Sequence, residues 1–166
     1  MRNIENNFEI GIRILCEYMP NDDELSKPTL FHSIRTGTYL YEKGYEENIV
    51  LAGLLHDIIE DSEISEQKIE KEFGKIVLEL ILANSKNKSI EYQADRIDEL
   101  IKRCISTGEK ALIVKAADII DNFKYFRKIN NSDGINYCIR NAKTVIQNKP
   151  DNFNDKIFGE LLDEIY

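Results

Sequence analysis

The chain lacks a basic excess: 22 lysines and arginines stand against 30 aspartates and glutamates, for a formal net charge of −8. Sequence-independent binding to nucleic acid or to acidic membranes draws on a basic face, so both are excluded as expectations. A small anionic substrate in a locally basic cleft is not. Nowhere do about 18 uncharged apolar residues follow one another, and Met1 to Glu9 carries charge and no apolar run. The expectation is a chain without membrane span or signal peptide, working in the cytoplasm. Cysteine is also scarce. Cys16, Cys104 and Cys138 are odd in number, widely separated and set in apolar, helical-looking sequence. That argues against disulfides and thiolate zinc sites, and the three are taken as small core residues. None has the electropositive neighbour that would activate a thiolate. Also missing are sustained period-2 alternation between hairpin turns, internal repeats and low-complexity tracts, so neither a β fold nor a repeat array is expected. With 166 residues, 42% of them hydrophobic, the chain suits one domain over residues 1–166 with a single core, and no appended domain is expected.

What is present is helical periodicity. Apolar residues at i, i+3 and i+4 predict an all-α bundle with helices over 3–19, 29–43, 46–60, 66–73, 75–84, 89–106, 110–129, 134–147 and 154–165. Polar turns such as "NSKNKS" and "NNSDG" separate them, and Gly44 ends the second. Ser65 is placed to cap the helix after it, with Ile64 and Ile69 spaced for a hydrophobic staple, which predicts a sharp corner after Asp61.

Two segments, "NIVLAGLLHDII" and "ALIVKAADIIDNF", are apolar nearly all round and belong in the middle of a bundle. On the second, Lys115, Asp118 and Asn122 stand at i, i+3 and i+7 and form one polar stripe. On the first, His56 and Glu60 are one turn apart, as are Asp57 and Asp61. Taken alone, this group also fits a core histidine bonded to its neighbouring aspartate, with Glu60 and Asp61 as a solvated helix end. His32, in "TLFHSIR", taken alone fits a core or surface position. The chain has only these two histidines, and both lie on apolar segments that can meet. Two imidazoles and two carboxylates from three helices make the mixed nitrogen and oxygen set that suits a divalent ion such as Mn²⁺, Fe²⁺, Co²⁺ or Zn²⁺.

The order His32, "HD" at 56–57, then Asp118 resembles the HD superfamily of metal-dependent phosphohydrolases over roughly residues 28–125. More closely, "AGLLHDIIEDS", "EKEFG" and "IVKAADIIDNFK" resemble the (p)ppGpp hydrolase domain of RelA/SpoT homologues and the small alarmone hydrolases, whose pattern is HDxxED, FG and KxADxxxN. The resemblance implies an HD-domain helical bundle in which His32, His56, Asp57 and Asp118 hold a metal, usually Mn²⁺. It implies that Glu60 and Asp61 organise the attacking water, with Glu60 expected nearer the nucleophile. Lys115 and Asn122 match substrate-side positions, and Lys124 stands where many relatives have arginine. The chain departs from the pattern in two places. Asp23 and Glu24 replace a basic pair before the first histidine, and Ile119 replaces the basic residue that commonly follows the metal aspartate. Arg35, one turn from His32, is a candidate replacement phosphate contact, and a solvated surface arginine fits it equally. The activity implied is release of pyrophosphate from the 3′-diphosphate of a small-molecule nucleotide. A nucleotidase acting on another nucleotide, and a metal-keeping regulatory module, remain the alternatives.

Overall fold

A computed structural model describes residues 3–20 and 27–166. Asp23 and Glu24 lie outside the described residues. Among those described there is no strand, and ten helices follow one another: α1 (Ile4–Tyr18), α2 (Thr29–Glu42), α3 (Glu47–Leu55), α4 (Ile58–Asp61), α5 (Glu66–Phe73), α6 (Lys75–Asn84), α7 (Gln93–Thr107), α8 (Glu109–Lys128), α9 (Ser132–Asn148) and α10 (Ile157–Asp163). None of these is long and apolar enough to cross a membrane.

The two segments that are apolar all round do occupy the centre. Every residue from Ile49 to Leu55 on α3 and from Ala111 to Phe123 on α8 is buried. A helix with no wet face must be surrounded, and α3 packs against α1, α2, α6 and α8, while α8 also meets α7, α9 and α10. Each fully buried leucine, isoleucine or phenylalanine here, such as Leu54, Ile69 and Phe123, contributes roughly 1.5–3 kcal/mol through removal of apolar surface from water. Small residues let α2 and α3 approach closely. A Cβ on Gly37 would lie 3.0 Å from the Leu54 Cα, and one on Gly53 would lie 2.3 Å from Leu40 Cδ1. That contact brings His32 on α2 close to His56 at the end of α3.

The helix expected over 46–60 is broken. It ends at Leu55, turns through His56 and Asp57, and resumes as α4. In a continuous helix the Asp57 N–H would bond the Gly53 carbonyl. That carbonyl instead accepts from His56 Nδ1 at 2.8 Å, so the imidazole competes with the helix for its own acceptor. The corner after Asp61 forms as expected: the Ser65 hydroxyl accepts from Lys68 N–H, and Ile64 and Ile69 are both buried. Helix α7 begins later than expected, because 86–92 are drawn into side-chain contacts with α4 and with Arg96. Helix α10 is shorter at both ends than the segment 154–165, and the Asp155 carboxylate accepts from Ile157 N–H at its start. Cys104 and Cys138 are buried as expected, but Cys16 lies on the exposed side of α1 and is not a core residue.

Candidate metal centre and cleft

Four side chains from three places in the chain converge. His32 comes from α2, His56 and Asp57 from the break between α3 and α4, and Asp118 from the middle of α8. His32 Nε2 and His56 Nε2 are 3.2 Å apart. Asp118 Oδ1 is 3.1 Å from the first and 3.6 Å from the second, and Asp57 Oδ2 is 3.2 Å from His56 Nε2 and 3.9 Å from His32 Nε2. The ligand atoms of His32, His56 and Asp118 all lie within 4.8 Å of one another.

The far sides of both rings settle what the near sides can do. His56 Nδ1 faces the Gly53 carbonyl, which only accepts, so that nitrogen carries a proton. His32 Nδ1 donates to Asp121 Oδ2 at 2.6 Å. With both Nδ1 atoms protonated, the neutral rings turn two lone pairs toward each other and toward two carboxylate oxygens. Four acceptors around one point, buried, require a positive charge at that point. Two imidazoles plus two carboxylates fit a divalent ion well, and the Nδ1 bonds are the outer partners that orient metal-bound histidines. Without an ion, protons take the place: burial alone would lower His56, but Asp57 and Asp118 outweigh it and raise its imidazole to about 10. Burial would raise the two aspartates, yet His56 beside Asp57 and Lys115 beside Asp118 hold them well below the usual carboxylate range.

The stripe along α8 serves Asp118. Lys115 Nζ donates to Oδ2 at 2.7 Å and Asn122 Nδ2 to Oδ1 at 2.6 Å. Lys27 completes this side, bonding Asn122 Oδ1 at 2.8 Å and lying 4.0 Å from both Asp57 and Asp118. Glu60 is bonded through both oxygens to Lys86, by the backbone N–H at 2.9 Å and by Nζ at 2.8 Å. The Asp61 backbone N–H donates to the Asp57 carbonyl at 2.9 Å, but its carboxylate makes no hydrogen bond or ion pair with any described residue, and burial together with Asp57 and Glu60 raises it. A cleft of about 630 Å³ opens over this group, lined by Asp57, Glu60, Asp61, Lys115, Asp118 and Asn122 and continued by Lys27, Lys86, Arg96 and Tyr137.

Two candidate substrate contacts lie elsewhere. Arg35 is not part of the cleft lining. Its guanidinium grips Asp121 through two bonds of 2.8 and 2.7 Å and stacks 4.9 Å from the Phe31 ring. Lys124 is exposed, with its ammonium 5.0 Å over the Tyr39 ring. Ile119, at the position where a basic residue is common, is buried in the core and does not line the cleft. Three residues that the sequence reading did not single out are central to the arrangement: Asp121, Lys27 and Lys86. Asp121 had a signal, since it stands at i+3 from Asp118 on a helix too apolar to carry a carboxylate without purpose. Lys27 and Lys86 sit in turns and had none.

Asp121 thus links Arg35 to His32, and its carboxyl is held low: burial would raise it, but the bonds from His32 and Arg35 prevail. Replacing Asp121 by asparagine removes the negative charge behind His32 Nδ1 and leaves one acceptor oxygen where His32 and Arg35 now share two. We expect metal affinity to fall roughly 10- to 100-fold, the usual cost of losing an outer-sphere partner, with secondary structure unchanged. Competition titration with a metal-binding dye measures this. Unaltered affinity would remove Asp121 from the metal-supporting role.

Residues 15–135 match the family model described as HD domain. The chain is 32% identical over 104 residues to the MESH1 guanosine-3′,5′-bis(diphosphate) 3′-pyrophosphohydrolase of Drosophila melanogaster, an alignment covering 61% of this chain and 58% of that one. It is 28% identical to the corresponding 3′-pyrophosphohydrolase of Aquifex aeolicus over 59% of this chain and 14% of that much longer protein. A solved structure described as a metazoan ortholog of SpoT that hydrolyzes ppGpp superposes with a TM-score of 0.70 at 22% identity, covering 97% of this chain and 94% of the other. The fold, the converging histidines and aspartates and the match over most of its length make this chain a member of the HD domain family.

Proposed function

We propose that the chain is a metal-dependent phosphohydrolase that removes the 3′-diphosphate of a (p)ppGpp-like nucleotide as pyrophosphate, with Mn²⁺ as its ion. The observation that carries this reading is the cleft itself: four buried acceptors that need a cation stand next to a carboxylate, Asp61, that is free to take a proton. The chain's relatives named as guanosine-3′,5′-bis(diphosphate) 3′-pyrophosphohydrolases support the substrate.

In this reading His32, His56, Asp57 and Asp118 hold a divalent ion, which when bound supplies Lewis acidity to a phosphoryl oxygen and to water at neutral pH. The chain's own residues do the rest. Water attacks the phosphorus joined to the 3′-oxygen, that P–O bond breaks, and pyrophosphate leaves while the 3′-oxygen becomes a hydroxyl. Asp61 takes the role of proton acceptor in this reading, since its carboxylate has no bonded partner among the described residues and its charged form is disfavoured by burial and by Asp57 and Glu60. Glu60 is occupied by Lys86 and acts by position, holding the segment 86–88 against α4. Lys115 and Asn122 keep the Asp118 carboxylate aimed at the imidazoles, and with Lys27 they place positive and donor groups where the phosphoryl oxygens carry charge.

Chromatography of products decides the matter. Purified protein with Mn²⁺ is expected to release pyrophosphate from ppGpp or ppApp. Orthophosphate from simple nucleoside monophosphates, with both 3′-diphosphates untouched, would make the chain an HD-type nucleotidase instead. No metal-dependent turnover of any phosphate ester would leave it a regulatory module. Replacing Mn²⁺ by Mg²⁺, Zn²⁺ or Co²⁺ in the same assay tests the choice of ion.

A further inference from the structure

The cations that line the cleft differ in how they are neutralised. Lys115 pairs with Asp118, Lys86 pairs with Glu60, and Lys27 lies 4.0 Å from both Asp57 and Asp118. Arg96, in the first turns of α7, pairs with no carboxylate among the described residues, in a chain where acids outnumber bases 30 to 22. It is nevertheless held still. Its Nε and Nη2 donate to the Ile90 carbonyl at 3.0 and 2.7 Å, and Nη2 also reaches the Glu91 carbonyl at 3.3 Å. Those bonds occupy one edge of a rigid planar group and leave the two N–H of Nη1 without an acceptor among the described residues. Carbonyls orient the guanidinium without cancelling its charge. The result is a fixed, uncompensated cation on the wall of the cleft, and a planar fork of this kind matches a phosphate better than an ammonium does.

Its position selects which phosphate. The bond to be broken lies next to the 3′-oxygen, so the 3′-diphosphate belongs beside His32, His56, Asp57 and Asp118. Lys115 and Lys27 already touch or approach the carboxylates of that group. Arg96 touches none of them, and it sits on a different helix along the same cleft. Arg35 and Lys124, the other basic candidates, do not line the cleft at all.

We propose that Arg96 is the specificity residue for the other anionic end of the substrate, binding the 5′-phosphates of a nucleoside 3′-diphosphate through its free Nη1 edge. This rests on the hydrolase reading above and adds to it a required chemical feature of the substrate. The test compares one nucleoside 3′-diphosphate carrying a 5′-diphosphate with the same compound ending in a 5′-hydroxyl, both assayed with Mn²⁺ on the full chain. The unmodified protein should favour the 5′-phosphorylated compound by roughly 10- to 100-fold in kcat/KM, the usual worth of a charge-assisted bond. Arg96→Met should lose most of that preference through KM, with kcat retained and with the 5′-hydroxyl compound hydrolysed as before. Arg96→Lys, which keeps the charge and loses the fork, should lie between them, and it carries the same comparison if the methionine variant does not fold. An equal loss on both compounds would mean that Arg96 only holds the 90–91 carbonyls, and no loss on either would mean that it touches no phosphate. Each result overturns the proposal. Pyrophosphate released from neither compound by the unmodified protein would overturn the hydrolase reading first, and the assignment of Arg96 with it.

Discussion

Replacing Asp118 by asparagine is expected to abolish tight metal binding and to make the protein's thermal stability indifferent to chelators. The carboxylate faces both imidazole Nε2 atoms at 3.1 and 3.6 Å and is the one acid of the set that also carries a buried lysine partner. Losing an inner ligand should cost more than the roughly 10- to 100-fold attached to an outer partner. The fold suffers separately. Lys115 is buried, with its side chain 7% exposed, and it would keep its charge without the carboxylate that holds it. Breaking a buried pair in this way costs about 3–5 kcal/mol, which for a domain of this size is a fall in Tm of roughly 6–20 °C. In the unmodified protein, an ion present at a hundred times its dissociation constant adds about 2.7 kcal/mol, because only the folded state binds it. Chelation should therefore lower the Tm of the unmodified protein and leave that of the variant where it was. Differential scanning calorimetry with and without chelator checks both, and a chelator-insensitive Tm in the unmodified protein would sink the metal assignment.

Asp61→Asn should separate catalysis from metal binding. Asp61 lines the cleft but is not among the converging acceptors, so metal affinity should stay within error of the unmodified protein. Turnover should fall roughly 100- to 10,000-fold, the range for removing a general base. The pH dependence has a definite sign. Burial first, then Asp57 and Glu60, raise the Asp61 carboxyl in the folded protein above its unfolded value of about 3.9. A carboxyl raised on folding favours the fold while it is protonated. That contribution is complete below the unfolded value and is lost as pH rises through the raised one. In metal-free protein the neutral asparagine should thus give a higher Tm than aspartate at pH 7, and the gain should disappear near pH 3. Turnover undiminished in the variant would return Asp61 to the role of a solvated helix end.

Much of this arrangement was legible in the order of residues. Period 3.6 places Lys115, Asp118 and Asn122 on one stripe, and the stripe is found clasped together on α8. Helices apolar on every side have to be central, and α3 and α8 are. Two histidines in 166 residues, both in apolar surroundings, leave few ways to be buried other than together. What periodicity could not supply was anything that depends on distance between elements. It assigned one helix to 46–60, and on an unbroken helix the adjacent His56 and Asp57 would point about 100° apart. The turn taken when His56 seizes the Gly53 carbonyl brings Asp57 Oδ2 to 3.2 Å from the ring, which is what allows both to serve one point. The spacing of Arg35 from His32 suggested a phosphate contact, but packing of α2 on α8 placed Asp121 within reach, and a bidentate carboxylate at 2.7 Å holds that guanidinium more firmly than open solvent does. Lys86 and Arg96 come from a polar turn and a helix start with no local pattern to mark them. Residue type and helical period determined which groups share a face. Only the close approach of helices across small residues such as Gly37 and Gly53, and the folding back of 86–88 onto α4, decided which of those faces meet, because contact between elements is set by side-chain volume and by where buried polar groups find their partners.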